Sequence, residues 1–434
     1  MSFGSFVTAL SGLKAAGTAI DVIGNDLANL NTSGFKGSTL SFQDVVADVT
    51  GAASKQIGSG VASPLIFKSF SQGAIQTTGG VYNAAIQGNG FFIVRKADLG
   101  SPVAASPDVT SDQFTRAGNF QIDKNGILVS ASGERVQGWT LNTATGQVST
   151  TDPIGDIIVP IGSNRAARAT TSFNADLNLD ASAASGAPFS IPVNVYDSLG
   201  NAHVISANFT KGTAANTWDA SISTADPAVT LTGNGPFTFT FNTDGSLKTV
   251  TPSDPVTGDI TGIQLAITNG AQSPQSLNWS PWQTPPVGTT PGIGRITQFA
   301  EASAASAITQ DGLAAAQLTS VSITDGGTVL AEYSNGSQRQ VAQLALASIR
   351  NPTSLISTGN NNFRAGQDSA VPVVGQAGTG GRGTIVGGSL ESSNVDIATE
   401  FTQLIIFQRS YSANARVITT TDQISQETIN LIHP

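Results

Sequence analysis

The sequence predicts a mainly β protein whose N- and C-terminal segments are long α-helices with coiled-coil spacing. Apolar residues recur every three to four positions at both ends of the chain, which is the helical period. Polar and apolar residues alternate in the middle, which is the period of a strand. Apart from the last residue, every proline lies between Pro64 and Pro372. Proline interrupts helices, so its confinement to the middle supports helical ends and a turn-rich centre.

The first apolar run predicts an N-terminal helix with a single heptad stripe. Its members are Phe3, Phe6, Leu10, Leu13, Gly17, Ile20, Gly24 and Leu27. Gly17 and Gly24 each cost a helix about 0.5–1 kcal/mol, but they let a partner backbone approach closely. The stripe should therefore pack on another helix, and its spacing leaves open whether that helix belongs to the same chain or to a neighbouring copy.

The stretch NDLANLNTSGFKGS, residues 25–38, should end this helix. Asn29 and Asn31 compete for local backbone hydrogen bonds, and Gly34 can adopt a positive φ. Together with Phe35 and Lys36 they form the predicted joint motif, at which helix and β-domain could take different angles. The glycine-rich stretch 375–388 is placed to act in the same way on the return path.

The last apolar run predicts a C-terminal helix that begins near SSNVD, with Ser393 as N-cap and Asp396 three residues later. Its packing stripe consists of Ile397, Phe401, Leu404, Tyr411, Ile418, Ile429 and Ile432, interrupted by a few polar residues. Both terminal helices are expected to be weakly ordered in the free chain and to become ordered on polymerisation.

The central region reads as strands and tight turns. FTFTF, residues 237–241, alternates strictly, and Asn335-Gly336 is a strong hairpin signal. The linker-like stretches 174–188 and 284–294 bracket a candidate inserted domain. The predicted domains are nested: 1–30 with 395–434 as the helical domain, 31–72 with 371–394 as connecting segments, 73–168 with 296–370 as a first β-domain, and 169–295 as the insertion.

Composition excludes several classes of function. A chain of 434 residues with a net charge of −9 and only scattered cations is not expected to bind nucleic acid. The lack of cysteine excludes disulfides and thiolate metal sites. No stretch reads as a membrane span, so no membrane insertion is predicted. The N-terminus has no basic segment before its apolar part, so it is a poor signal peptide.

The residues that could support catalysis or ligand binding are sparse. His203 follows a turn in a strand pattern and is predicted to face solvent, and His433 is next to the end of the chain. The Gly-rich stretch 378–383 lacks a βαβ context, and the loop from Asp123 has no glycine at its sixth position. No enzyme activity, cofactor or metal is predicted.

Several blocks resemble the bacterial flagellar axial rod–hook family. ANLNTSGFK, residues 28–36, is similar to the N-terminal signature of that family. Residues 70–94 and 114–139 resemble its first β-domain, and VYDSLGNAH, residues 195–203, resembles a hook-type insertion. Residues 388–424 are similar to the C-terminal block of the family.

This resemblance implies a hook-type subunit that self-assembles into a flexible tubular polymer, a universal joint that passes torque from the motor and rod to the filament. The terminal helices would form the inner coiled-coil layer of the tube, with the β-domains outside it. Implied partners are further copies of the chain, a distal rod protein, a hook cap protein, a hook–filament junction protein and the flagellar type III export apparatus. The implied location is the cell surface, reached without a cleaved signal peptide. A distal rod protein, a secreted β-rich adhesin and a secreted enzyme are the alternatives.

Overall fold

The computed structural model describes residues 3–46, 58–96, 112–142, 146–162, 164–285 and 292–432. The chain divides into two compact units. The first, here the terminal unit, comprises Met1–Ile161, Thr319–Glu332 and Gln338–Pro434, and the second, here the inserted unit, comprises Gly162–Leu318 and Tyr333–Ser337. The described residues are mainly strands, with one long helix towards each end of the chain. The predicted fold class is confirmed.

The elements follow one another along the chain in three runs. The first run is α1 (Phe3–Ala28), β1 (Ser38–Ser41), β2 (Asp44–Val46), β3 (Gly58–Val61), β4 (Leu65–Lys68), β5 (Ile75–Thr77), β6 (Ala84–Gln87), β7 (Phe91–Arg95), β8 (Asp112–Thr115), β9 (Gln121–Ile122), β10 (Leu128–Val129), β11 (Arg135–Thr140) and β12 (Gly155–Asp156). The second run is β13 (Asn164–Arg165), β14 (Ser172–Asn178), β15 (Pro188–Tyr196), β16 (Ala202–Lys211), β17 (Thr217–Thr224), β18 (Val229–Thr232), β19 (Phe237–Phe241), β20 (Leu247–Thr251), β21 (Ile260–Ile267), β22 (Gln275–Trp279), β23 (Trp282–Thr284), β24 (Ile293–Gly294), β25 (Ile296–Thr297) and β26 (Ala304–Gln310). The third run is β27 (Ala316–Ile323), β28 (Thr328–Tyr333), β29 (Gln338–Leu344), β30 (Leu346–Ser348), β31 (Ile356–Gly359), β32 (Asn362–Arg364), β33 (Val373–Gly375), β34 (Thr384–Gly387), β35 (Ser389–Glu391) and α2 (Ile397–Ile432).

The β part of the terminal unit is an antiparallel sheet in which β29, β11, β7, β8, β32 and β31 are successive neighbours. β7 has the sequence FFIVR, and its first four side chains are fully buried, as in a core strand. Phe91, Phe114 and Phe363 share one apolar cluster in this sheet. Two strands from near the C-terminus, β34 and β35, pair with β6 and β5 respectively, so the return path is bound to the outgoing one.

The inserted unit is a β-sandwich with one shared core. One sheet has the order β15-β16-β17-β19-β20, and the other has the order β18-β21-β22-β14-β25 with β26 also paired to β14. Alternate residues face inward, as FTFTF predicts: Phe237, Phe239 and Phe241 are buried and the threonines between them are not. Trp279 lies at the centre of the core with its ring against several phenylalanines.

The inserted unit extends beyond the predicted insertion, residues 169–295. β25 pairs in parallel with β14, and β26 pairs with β14 in antiparallel register. These strands therefore extend the sheet of the insertion, although the proline-rich stretch before them predicts that they belong to the first β-domain. Residues 286–291 of that stretch lie outside the described residues. The nesting of four domains stays a prediction.

His203 is buried, so the prediction that it faces solvent was wrong. Only 5% of the residue is exposed. Its Nδ1 lies 2.5 Å from Oδ2 of Asp226, and its Nε2 lies 3.3 Å from Oδ2 of Asp197. The two carboxylates satisfy both ring nitrogens, which is what makes burial of the imidazole tolerable.

Candidate functional site: the terminal helices and the segments at their base

Helices α1 and α2 pack against each other within one chain. One side of α1 is a stripe of mostly small residues, here called the alanine seam, in which Gly12 is half-buried and the others are buried: Ala9, Gly12, Ala16, Ala19, Ile23 and Asp26. Ala15, beside this stripe, is also buried. A Cβ added at Gly12 would lie 2.9 Å from Nδ2 of Asn414, so α2 sits directly above this glycine. Small side chains at 3–4 spacing let the two helix backbones approach closely.

The alanine seam lies one position before the predicted stripe. Every seam residue immediately precedes a predicted one, which corresponds to a rotation of about 100° around the helix axis. Phe6 and Gly24 are exposed, and the others whose side chains are described are half-buried: Leu10, Leu13, Gly17, Ile20 and Leu27. The side chain of Phe3 lies outside the described residues. The role of the predicted stripe in packing between subunits stays a prediction.

The two glycines of the predicted stripe have different surroundings. A Cβ at Gly17 would lie 3.9 Å from Cε2 of Tyr411, which is ordinary van der Waals contact, and a Cβ at Gly24 would meet no atom within 4 Å. Within one chain, Gly12 provides the close approach between α1 and α2, and the role predicted for Gly17 and Gly24 towards a neighbouring copy stays a prediction.

Helix α2 presents large apolar side chains to solvent. Leu404 and Ile418 of the predicted stripe are half-buried. The exposed apolar residues of this helix are Ile397, Phe401, Ile405, Ile406, Tyr411 and Val417. The side chains of Ile429 and Ile432 lie outside the described residues. Exposed clusters of this kind mark interaction surfaces in soluble proteins.

The segment after α1 forms an arm of two antiparallel pairs, β1 with β4 and β2 with β3. The arm contacts both helices: the Val61 amide donates to Ser11 Oγ on α1 at 3.1 Å, and the ring of Phe42 lies 5.6 Å from that of Phe407 on α2. Its further exposed apolar residues are Val45, Leu65, Ile66 and Phe67. The arm therefore continues the apolar surface of the helix pair.

By length and composition alone, α1 is apolar enough to cross a membrane over Gly4–Ala28, contrary to the reading of the sequence. In this structure one face of the helix packs on α2 and the arm. One such helix near an N-terminus is weak grounds for a membrane span, and the prediction of no membrane insertion stays a prediction.

The cap of α2 differs from the predicted one. The helix begins at Ile397, and Oδ1 of Asp396 accepts a hydrogen bond from the Thr399 amide at 2.7 Å. Asp396 is therefore the N-cap. Ser393 Oγ instead accepts a hydrogen bond from the Val395 amide, before the helix begins. Hydrogen bonds from the Thr399 amide and hydroxyl hold the pKa of Asp396 below its ordinary value, which keeps a negative charge at the positive end of the helix dipole.

The joint motif lies where it was expected, just after α1. Asn29 Nδ2 donates to the Asn25 carbonyl at 2.9 Å, and Asn31 is exposed. Gly34 has a φ of +70°, and a Cβ there would lie 2.4 Å from the Ala117 amide nitrogen, so both conformation and space require glycine. Gly34 thus packs directly against the backbone at Ala117. The role of the motif as a flexible joint stays a prediction.

The last two residues of the motif are buried. Phe35 lies beneath the Lys68 ammonium, 4.8 Å from ring centroid to nitrogen. The Lys36 side chain has no solvent exposure, and its Nζ pairs with the equally buried Glu391 Oε1 at 2.6 Å. Burial lowers the pKa of Lys36, and the Glu391 carboxylate opposes this shift. Sequence reasoning missed this ion pair because its partners are 355 residues apart.

Within the described residues, no group of three His, Asp or Glu side chains is placed to hold a metal ion. The terminal unit presents exposed apolar surfaces on α2 and the arm and a buried ionic cluster around Lys36 and Glu391.

Four family profiles match successive parts of the chain. They are Flagella basal body rod protein at residues 6–36, Flagellar hook protein FlgE/F/G D1 domain at 85–174, Flagellar basal body protein FlaE D2 domain at 164–313, and Flagellar basal body rod FlgEFG protein C-terminal at 386–431. The first and last profiles cover most of α1 and α2, and the D2 profile lies entirely within the inserted unit.

Whole-length relatives carry the same name. The flagellar hook protein FlgE of Borreliella burgdorferi is 33% identical over 456 residues, covering 98% of this chain and 99% of the relative. That of Salmonella typhimurium is 33% identical over 440 residues, with 98% and 100% covered. The crystal structure of Helicobacter pylori flagellar hook protein FlgE2 matches with a TM-score of 0.50 at 13% identity, over 72% of this chain and 99% of that one, and supports the fold alone. With this identity over nearly its whole length, the chain belongs to the flagellar hook protein family.

Proposed function

We propose that this chain is the structural subunit of a flagellar hook and that it self-assembles through its terminal helices and arm. The observation that carries this proposal is the continuous exposed apolar surface on α2 and the arm. Complete burial of a large apolar side chain contributes about 1.5–3 kcal/mol. Neighbouring copies would bury many such side chains at once, which gives each subunit a strong drive to polymerise.

Family membership supports a hook polymer, and we infer its finer features. The polymer would be a flexible tube that transmits torque, with the terminal helices in its inner layer and the joint motif between helix and β-domain. Its further partners would be the distal rod protein, the hook cap protein, the hook–filament junction protein and the type III export apparatus. It would lie outside the cell, it would not act as an enzyme, and its terminal helices would gain order on assembly.

Electron microscopy of the purified chain tests the assembly surface. Wild-type protein should form hollow tubes, and replacing Phe401 and Ile405 by serine should prevent tubes while leaving the circular dichroism of the free chain unchanged, because both side chains are exposed in the monomer. Val256→Ser is the matched control, since Val256 is an exposed apolar residue of the inserted unit. Normal tubes from the double variant would contradict the proposal.

A further inference from the structure

The carboxylate of Glu391, at the end of β35, is surrounded by donors from distant parts of the terminal unit. Its Oε1 accepts from Lys36 Nζ at 2.6 Å and from the Gly73 amide at 2.9 Å. Its Oε2 accepts from Arg116 Nη1 at 3.2 Å, and its main-chain carbonyl accepts from the Gly34 amide at 2.7 Å. The Glu391 side chain has no solvent exposure, and only 4% of the Arg116 side chain is exposed.

The other contacts of the two cations are neutral. Lys36 Nζ donates to the Ser71 carbonyl at 2.7 Å, and Arg116 Nη2 donates to the Gly88 carbonyl at 2.8 Å. Among the described residues, Glu391 is therefore the acidic partner that the structure provides for both. Without its carboxylate, two positive charges would lie close together out of contact with water, which is strongly unfavourable.

A second group of hydrogen bonds joins the same segments a few residues later. Asn394 Oδ1 accepts from the Gly37 amide at 2.8 Å, and its Nδ2 donates to the Ser69 carbonyl at 2.9 Å. On the opposite side, Asp26 Oδ2 accepts from the Ser38 amide at 2.6 Å. The end of α1 and the approach to α2 are thus fixed to one short piece of backbone, residues 36–38.

We propose that Glu391 is a positioning residue that makes the base of α1 dependent on the C-terminal segment. Glu391 lies 355 residues after Lys36, 318 after Gly73 and 275 after Arg116. Residues 34–38 and 71–73 therefore cannot reach their final arrangement until β35 has docked. The terminal helices would then be correctly oriented only in a chain whose C-terminal segment is in place.

This dependence would restrict assembly to subunits whose C-terminal segment has docked. A subunit whose C-terminal segment has not docked keeps Lys36 and Arg116 unpaired, so the arm and α1 remain mobile. Only a completed chain fixes the base of α1 and the arm in one arrangement, from which the helices can gain further order on assembly. This consequence rests on the proposed hook function, whereas the dependence itself concerns one chain alone.

Hydrogen exchange of the full-length monomer tests the dependence. In Glu391→Gln the amides of Gly34 and Gly73 should exchange at least tenfold faster than in the wild type, because the variant leaves both cations without a charged partner. Amides of β16 in the inserted unit should not change. Glu427→Gln, an exposed position on α2, is the matched control. Unchanged exchange at both glycines in Glu391→Gln would overturn the proposal.

Pulse-labelled exchange during refolding of the wild type tests the order of events. The Gly34 and Gly73 amides should become protected in the same phase as the β35 amides. Protection of the two glycines before β35 would overturn the proposal, even if Glu391→Gln fails to fold. Glu391→Asp keeps the charge on a shorter side chain. Its Gly34 and Gly73 amides should exchange at rates between those of the wild type and Glu391→Gln.

Tube formation is scored separately by electron microscopy. Glu391→Gln should form few tubes under conditions in which the wild type forms many. If the wild type forms none, the proposed hook function fails, and the exchange measurements still decide the role of Glu391.

Discussion

The inserted unit and the terminal helix pair use their apolar residues in opposite ways. The sandwich encloses its largest side chains, and Trp218, Trp279, Phe209 and Phe239 are essentially inaccessible. The helix pair places alanines at its contact, whereas Phe401, Ile405 and Ile406 on α2 remain about half exposed. The same kind of residue thus stabilises one chain in the first region and remains available to other chains in the second.

This difference shows how one polypeptide can combine a self-sufficient domain with an assembly element. A sandwich that buries its own core has no need of neighbours for stability. Two helices joined mainly by small side chains gain less from each other, because burial energy grows with apolar area. The two regions should therefore respond differently when their contacts are altered.

The largest expected effect is in the sandwich core. Trp279 stacks on Phe173 at 5.4 Å between ring centroids and lies 5.3 Å from the ring of Phe239. Trp279→Ala should lower the free energy of unfolding of the inserted unit by about 3–5 kcal/mol, because it leaves a large cavity. Urea unfolding followed by hydrogen exchange of β16 and β21 amides measures this change.

Exchange of the α1 amides is a second readout for Trp279→Ala. If the inserted unit is independent, α1 amides in Trp279→Ala should exchange as in the wild type. Trp279→Phe keeps an aromatic ring and should lower the free energy of unfolding of the inserted unit much less than Trp279→Ala does. Loss of protection in α1 would contradict the separation of the two regions.

A smaller effect is expected at the helix contact. Ala19 is fully buried in the alanine seam, and Ala19→Leu should cost about 1–3 kcal/mol through overpacking. Exchange of α1 amides should accelerate while the inserted unit is unchanged. Proteolysis of the free chain within α1 offers an independent measurement.

Gly24→Ala is the matched control on the same helix. Gly24 is exposed, and an added Cβ would meet no atom within 4 Å. The substitution should stabilise α1 by about 0.5–1 kcal/mol, since alanine favours helix more than glycine. If Gly24→Ala disrupts the pairing and Ala19→Leu does not, the contact follows the predicted stripe and not the alanine seam.

The sequence predicts the element types well because they depend on local patterns. Helical spacing, the alternation of FTFTF and the Asn335-Gly336 turn are all properties of neighbouring residues. The phase of the helix contact is harder, because α1 carries two parallel stripes one position apart. The prediction follows the large apolar side chains, such as Leu10 and Leu13, whereas close packing of two helices favours small ones, such as Ala16 and Ala19.

The buried polar clusters could not be found from the sequence for a different reason. Glu391 and Lys36 become partners only when β35 returns to pair with β5. Asp226 reaches His203 from beyond the next strand, so the local alternation that suggested exposure carried no sign of it. Only 11% of the residues are charged. The presence of a charged residue in such a chain is therefore the one sign of a buried ionic cluster that the sequence offers, and it is a weak one.

The smallest expected effect is the pH dependence of the inserted unit. Burial would lower the pKa of His203, but hydrogen bonds and charge from Asp226 and Asp197 outweigh it and raise the pKa above its ordinary value. Asn269 and Asn201 also donate to Asp197, which keeps that carboxylate ionised. Protonated His203 therefore stabilises the unit fully below about pH 6.5, and this stability is lost as the pH rises through the folded-state pKa.

Thermal unfolding of the inserted unit, measured between pH 5 and 9, tests this sign. The midpoint should fall with rising pH in the wild type and should fall less in His203→Gln, which can still form hydrogen bonds but does not titrate in this range. His433→Gln is the control for the other histidine of the chain. A midpoint that rises with pH, or the same slope in His203→Gln, would show that the neighbouring carboxylates do not hold a charged imidazole. The sandwich would then depend on its apolar core alone, which would sharpen its contrast with the ionic cluster beneath the helices.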